Sequence, residues 1–401
     1  MKKYFFWIAC SVLMFAGCRK EDVGKCNVEV IKVAGLFSET GELSYLGLTS
    51  EEAIQIAVDR INNDFETQGV HYRFEFTAYD TQLDPAQAVI AMNSIAASGC
   101  KLVIGPQTSS ELLAIKPLAD SLGILVVSPS STAASLAIQN DMVFRFQPGQ
   151  AIVGTAMAQS YLNQGKQALV MISRNDAGSI GLQMAVENHF VNSGGVVVNA
   201  GTFNGTDTDF SAVLAEVKNQ ILNFSSTYSI SQIGVVTTSF DETTLLFNQA
   251  SSDPVLSSVN WFGGVGFFKN QVLLSDPLAA QFAVNTQFYS PGFSLPISSQ
   301  SVWEPLLASI FGSTGIQGDA LTLSAYDVMG VFGKMIGDNN SFPSNANALK
   351  SAFQSAANNF NGATGIITLN EFGDRSSGIF DFYGVQNNSG IYEWVFVGQS
   401  E

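Results

Sequence analysis

The chain has 401 residues and a formal net charge of −16, with 34 acidic residues against 18 basic ones, two histidines and four cysteines. An acid excess of this size argues against binding to nucleic acid or to an anionic membrane surface, both of which select basic patches. The length is more than one hydrophobic core usually supports, so two domains are expected.

Residues 1–17 read as a targeting signal. Lys2 and Lys3 form a positive start, and residues 4–15 form an apolar run shorter than the roughly 20 residues a bilayer requires. Ala16 and Gly17 then precede Cys18, which resembles the lipobox of bacterial lipoproteins. That resemblance implies acylation of Cys18 as the new N-terminus, with residues 18–26 as a tether. Export is expected, with the membrane reached only through the lipid. Removing the signal leaves 16 basic against 34 acidic residues, and no later run is long and apolar enough to cross a membrane.

From Asn27 onward, short apolar runs alternate with helical patterns, the signature of a parallel sheet covered on both faces. Residues 28–37 predict a strand. Thr49, Ser50, Glu51 and Glu52 spell a capping box, followed by Ala53, Ile56, Ala57, Val58 and Ile61 on one helical face. Residues 72–78 alternate as a strand, and Asp84 and Pro85 supply an N-cap and first-turn proline for a helix stopping at Gly99. A strand at 101–105, a helix at 110–122 and a strand at 124–128 complete the first block.

A second block follows Phe144, Arg145, Phe146, Gln147 and Pro148. Strands are expected at 167–173, 195–201, 232–238 and 259–263, and helices at 181–192, 209–222 and 242–250. Two similar blocks in series imply two similar α/β lobes with parallel central sheets. Helical patterns return at 304–311, 321–336 and 346–358. The chain ends in β-rich sequence at 365–369 and 379–397, with Asn/Gly turns at Asn387, Asn388, Ser389 and Gly390.

Cys10 lies in the signal and Cys18 is the lipid site, which leaves Cys26 and Cys100. Each stands just before one of two strands expected to be parallel neighbours. Adjacent strands lie about 4.8 Å apart, within disulfide reach, so a Cys26–Cys100 bridge is expected.

Several motifs then match in order. They are residues 31–35 (Ile-Lys-Val-Ala-Gly), Thr40-Gly41, Asp59 to Asn62, Asp80 to Gln82, Ile104-Gly105-Pro106, Ser128 to Ala133, Gly205 to Ser211, Ala325-Tyr326-Asp327, and Phe360 to Gly362 with Gly373-Asp374-Arg375. This ordered set resembles the leucine/isoleucine/valine-type periplasmic binding proteins over nearly the whole mature chain. The resemblance implies two Rossmann-like lobes of the type I periplasmic-binding-protein fold, joined by three hinge crossings near Phe146, Phe288 and Asp381. Lobe one would be 27–146 plus 289–380, and lobe two 147–288 plus 381–401.

The same resemblance places a ligand in the cleft between the lobes. In lobe one, Thr108, Ser109 and Ser110 open a helix, and Ser130, Ser131 and Thr132 follow the next strand. Free N–H groups and hydroxyls at a helix N-terminus suit an anion, and Ser109, Ser130 and Thr132 occupy the positions that hold an amino acid's carboxylate in the family. Taken alone, such Ser/Thr clusters are ordinary caps. Tyr45 and Leu46 are further wall residues, and Phe240, Phe267 and Tyr326 are either wall or core.

Lobe two departs from the pattern. Gly178 stands where α-amino-acid binders carry a tyrosine, and Val265 stands where the acid for the ligand's ammonium is expected. Leaving a buried ammonium unpaired costs about 3–5 kcal/mol. Either Asp241 or Asp176 therefore supplies the acid, or the ligand has no ammonium.

His71 and His189 have no ligating neighbours at metal spacing, and Asp207 to Asp209 read as a helix cap rather than a calcium loop. No nucleophile elbow, P-loop or complete dinucleotide fingerprint occurs. No cofactor, metal or catalysis is expected. The resemblance implies a monomeric receptor delivering an amino acid or similar small carboxylate to an ABC permease. The alternative is a ligand-sensing or regulatory envelope lipoprotein of the same fold.

Overall fold

The computed structural model describes residues 28–41 and 43–400. The proposed signal, the lipid site Cys18 and Cys26 lie outside the described residues. Two sheets organise the chain. The first is built from β1 (Glu29–Phe37), β2 (Tyr72–Asp80), β3 (Leu102–Ile104), β4 (Leu125–Ser128) and β5 (Val143–Arg145), in the order β2-β1-β3-β4-β5. Every pairing in it is parallel.

Helices α1 (Ser44–Gln68), α2 (Pro85–Ala97) and α3 (Ser109–Leu122) connect these strands. Asp84 Oδ1 accepts from Ala86 N at 2.8 Å ahead of Pro85, the cap expected for α2. The start of α1 differs from expectation. It begins five residues before Thr49, whose hydroxyl donates to Tyr45 O at 2.9 Å inside the helix and meets Thr322 Oγ1 at 2.8 Å. With its hydroxyl bonded back to the preceding turn, Thr49 does not act as a cap.

The second sheet starts after α4 (Gln150–Asn163), an unforeseen helix. It holds β6 (Ala168–Arg174), β7 (Val196–Phe203), β8 (Ile233–Thr238) and β9 (Asn260–Gly263), connected by α5 (Ala177–Asn192), α6 (Ser211–Ser225) and α7 (Glu242–Ala250). After α8 (Gln271–Ser275) and α9 (Pro277–Asn285) comes β10 (Tyr289–Phe293), parallel to β9. The chain then returns to the first lobe as α10 (Gln300–Thr314), α11 (Ala320–Gly337), α12 (Ala346–Ala357) and the small hairpin of β11 (Phe360–Gly362) and β12 (Gly365–Ile367). The antiparallel pair β13 (Phe380–Asn388) and β14 (Ile391–Gln399) closes the second sheet, in the order β14-β13-β10-β9-β8-β6-β7.

Because β10 hydrogen-bonds within the second sheet, the crossing expected near Phe288 falls after Phe293. Phe380 likewise belongs to the second sheet, one residue ahead of the expected crossing at Asp381. The crossings lie side by side, with Ser294 N donating to Ile379 O at 2.8 Å and Arg375 N donating to Arg145 O at 2.9 Å.

The first sheet carries one large apolar core, to which buried α11 contributes Leu323, Val328, Met329, Phe332 and Ile336. The second is covered on both faces, on one by Phe247, Trp261, Phe282 and Phe288, on the other by Val153, Met157, Leu182 and Val186. Period-2 alternation is absent where both faces of a strand are buried, as in β4, β8 and β10.

The expected Cys26–Cys100 bridge is not found. Cys100 is a buried, free cysteine whose thiol donates to Lys32 O at 3.2 Å and Leu102 O at 3.3 Å. The register explains this. Val33 pairs with Leu102, so Cys100 stands level with the interior of β1 rather than with its leading edge.

Candidate functional site

The carboxyl ends of the parallel strands in both lobes face a shared cavity of about 130 Å³, the place where open α/β sheets put their crevices. From lobe one, Gln107, Thr108, Ser109 and Ser110 follow β3, while Ser130, Ser131 and Thr132 follow β4. From lobe two come Arg174, Asp176, Gly178 and Ser179 after β6, with Ser239 and Phe240 after β8 and Gly264, Val265 and Gly266 after β9. Tyr45 and Leu46 border the cavity from the first turn of α1.

The lobes meet closely here. A Cβ on Gly178 of lobe two would lie 3.7 Å from Ser109 Oγ of lobe one and 3.2 Å from Asp176 Oδ1. A tyrosine at this position would occupy the space where the two lobes touch, so glycine lets the loops approach. Gln150 spans the same contact. Its Nε2 donates to Gly178 O at 2.6 Å and its Oε1 accepts from Ala134 N at 2.9 Å, while its backbone N donates to Thr132 O at 3.0 Å.

Lobe one is locally well ordered by its own hydroxyls. Thr108 caps α3 in a full capping box, its N donating to Glu111 Oε2 at 3.0 Å. Burial pushes the Glu111 carboxyl above the usual carboxylate range. Ser109 Oγ lies 2.8 Å from Ser131 Oγ and accepts from Ala133 N at 3.2 Å, and Ser130 Oγ donates to Gln107 O at 2.7 Å. These bonds fix the two loops to each other. The anion-attracting element they leave at the cavity is the N-terminus of a 14-residue helix.

Lobe two carries the charge. Asp176 caps α5, accepting from Ser179 N at 2.9 Å and Ser179 Oγ at 3.0 Å, and its Oδ2 lies 3.2 Å from Arg174 Nε. Arg174 Nη1 lies 3.6 Å from Glu242 Oε2, and its guanidinium stacks over Phe240 at 5.0 Å. Gly266 makes room for that ring, since a Cβ there would meet it at 2.8 Å.

Ten of the sequence-predicted site residues line this cavity: Thr108, Ser109, Ser110, Ser130, Thr132, Tyr45, Leu46, Asp176, Phe240 and Val265. Asp241 does not. Its Oδ1 accepts from Asn270 Nδ2, which draws the carboxylate toward the start of α8 and away from the cleft. Phe267 is wholly buried in the lobe-two core, and the Tyr326 hydroxyl accepts from Arg60 Nη1 at 3.0 Å in lobe one. Neither lines the cavity. Sequence reasoning missed Gln107, Gln147 and Arg174. Arg174 had a visible signal, a cation ending the otherwise apolar run of β6 directly before a helix cap.

Behind the cavity, ion pairs tie the crossings. Arg145 donates from Nε and Nη2 to Asp374 Oδ1 and Oδ2, both at 2.5 Å, and from Nη1 to Ala133 O at 2.6 Å. Arg375 donates to Thr364 Oγ1 at 2.8 Å and Thr364 O at 2.7 Å, and lies over the Phe293 ring. Burial lowers its pKa to about 10. Asp327 accepts from Ala363 N, Thr364 N and Thr364 Oγ1, yet burial raises its carboxyl to about 6.

A family model described as periplasmic binding protein matches residues 30–373. The chain belongs to this family. Its members are solute-binding proteins, which places the chain with receptors and not with enzymes. An uncharacterized protein of Methanocaldococcus jannaschii is 25% identical over 98% of this chain and 97% of its own length. The Leu/Ile/Val-binding protein of Escherichia coli K12 is 26% identical over 49% of this chain, and the match spans 53% of that relative. Among solved structures, the leucine-binding protein LivK of Thermotoga maritima superposes with a TM-score of 0.71 at 23% identity, covering 92% of this chain and 99% of that one. That likeness carries the two-lobed fold. Membership of the family makes the protein an exported one, and among the described residues no helix is long and apolar enough to cross a membrane.

Proposed function

We propose that this periplasmic binding protein captures a small carboxylate, an amino acid or close analogue, in the cavity between its lobes and presents it to an ABC permease. The observation that carries this reading is the convergence of the α3 N-terminus and the loop at 130–132 on one cavity, facing Arg174, Asp176 and Phe240 from the other lobe. A helix N-terminus favours an anion by about 0.3–1 kcal/mol, and by up to ~2 kcal/mol when partly buried. The names of the matched relatives agree with an amino-acid ligand. Lipid attachment at Cys18 would hold the receptor, as a monomer, beside its permease.

A thermal-shift panel tests the proposal. Amino acids, hydroxy acids and keto acids are compared with the amides in which their carboxylate is neutralised. A ligand at 100 times its Kd adds about 2.7 kcal/mol to stability. If no carboxylate raises Tm, or if the amides do so equally, the assignment of the 108–110 and 130–132 loops is wrong.

A further inference from the structure

Two buried polar atoms of the cavity wall have no hydrogen-bond partner, Gln107 Nε2 and Gln147 Oε1. Their residues are only 4% and 2% exposed. Among the described residues, the other buried side-chain atoms left without a partner belong to residues that do not line the cavity. Leaving such a group unpaired destabilises the ligand-free protein, so each instance calls for a reason.

The Gln107 carboxamide is held in one orientation. Its Oε1 accepts from Ser38 N at 2.8 Å, and a flipped amide would set N–H against N–H. The NH₂ group is therefore the end left without a partner. Gln107 follows β3 and Gln147 follows β5, with β4 and its 130–132 loop between them. The two carboxamides thus flank the carboxylate loops. The charged wall opposite is internally paired, Arg174 with Asp176 and Glu242. Leu43, Leu46, Leu83, Leu182 and Leu321 supply apolar wall around these groups.

We propose that Gln107 and Gln147 read an uncharged polar group on the ligand, Gln107 donating to it and Gln147 accepting from it. The cleft then selects a small carboxylate bearing a hydroxyl or amide over its aliphatic isostere. This inference rests on the carboxylate reading above. Its physical basis is asymmetric, because a site built to hydrogen-bond a hydroxyl or amide penalises the analogue that leaves its buried groups unpaired.

Isothermal titration with two shape-matched pairs tests it, threonine against valine and asparagine against leucine. The polar member of at least one pair is expected to bind about tenfold tighter or more. Gln147→Leu should erase that preference while leaving the ligand-free Tm unchanged or higher, since it removes an unpaired buried group. Gln107→Leu should also erase it but lower Tm, because it strands the buried Ser38 N that Oε1 pairs. Gln107→Glu keeps the acceptor for Ser38 N and removes the donor, so it should lose the polar ligand even if Gln107→Leu folds poorly. Valine and leucine binding as tightly as their partners, or variants that keep the preference, would overturn this inference and leave the carboxylate reading standing. Binding of none of the four, with no response across the carboxylate panel, would overturn both.

Discussion

Removal of the Asp374 carboxylate probes the crossing region most directly. Arg145 is 1% exposed and Asp374 5%, and two of the three bonds made by the guanidinium go to this one acid. In Asp374→Ala the buried cation keeps only Ala133 O and loses its counter-charge. Breaking a buried pair from one side costs about 3–5 kcal/mol. For a cooperative unit of about 150–250 residues, each kcal/mol lowers Tm by about 2–4 °C, so a fall of roughly 6–20 °C is expected. Replacing both residues, as Arg145→Met with Asp374→Leu, removes the stranded charge and should recover most of the loss. Urea unfolding followed by circular dichroism, run as a double-mutant cycle, measures the coupling. Ala133 borders the 130–132 loop, so Asp374→Ala should also weaken carboxylate binding. A single-variant cost below about 1 kcal/mol, or a double variant equal to the sum of its singles, would refute the reasoning.

Three further outcomes are expected. Asp327 has a folded pKa of about 6 against an ordinary 3.8, so the folded state binds its proton more tightly than the unfolded chain. Its ionisation therefore costs stability as pH rises from about 4 to 6 and costs most above that window. Relative to Asp327→Asn, the native protein should lose stability across this interval, by up to about 3 kcal/mol at pH 7, and parallel pH–stability curves would contradict the assignment. Cys100 is 3% exposed and burial raises its thiol pKa. Iodoacetamide should modify it only as fast as the protein unfolds, and rapid labelling of the native state, read by peptide mass spectrometry, would show the thiol elsewhere. Gln150→Ala removes its one side-chain bond that crosses between the lobes, Oε1 to Ala134 N, about 0.5–1.5 kcal/mol of closed-state preference, and with it the Nε2 bond to Gly178 O inside lobe two. The Kd of any cleft ligand should rise by about two- to tenfold, and an unchanged Kd would mean that the bond to Ala134 N does not help hold the lobes closed.

Much of this architecture is legible in the chain itself. Apolar runs separated by amphipathic stretches determine a two-lobed parallel α/β protein, because strands buried on both faces and helices buried on one leave different periodicities. Caps such as Asp84 before Pro85 are local and legible, though the same kind of signature at Thr49 to Glu52 lies inside α1 and starts no helix. Taken alone, the Ser/Thr loops of lobe one read as ordinary caps and turns, and only the family resemblance marks them as ligand loops.

What depends on register and on contact between distant segments was decided only by the tertiary structure. Cys100 stands against Lys32 rather than beside the edge of β1 because of one strand register, which composition does not encode. Asp176 and Asp241 are both acids near strand ends, but Asn270, 29 residues downstream of Asp241, turns one of them from the cleft. Gln107 and Gln147 are unremarkable glutamines in sequence. They become informative only once folding buries one polar atom of each, Gln107 Nε2 and Gln147 Oε1, without a partner in the wall of one cavity.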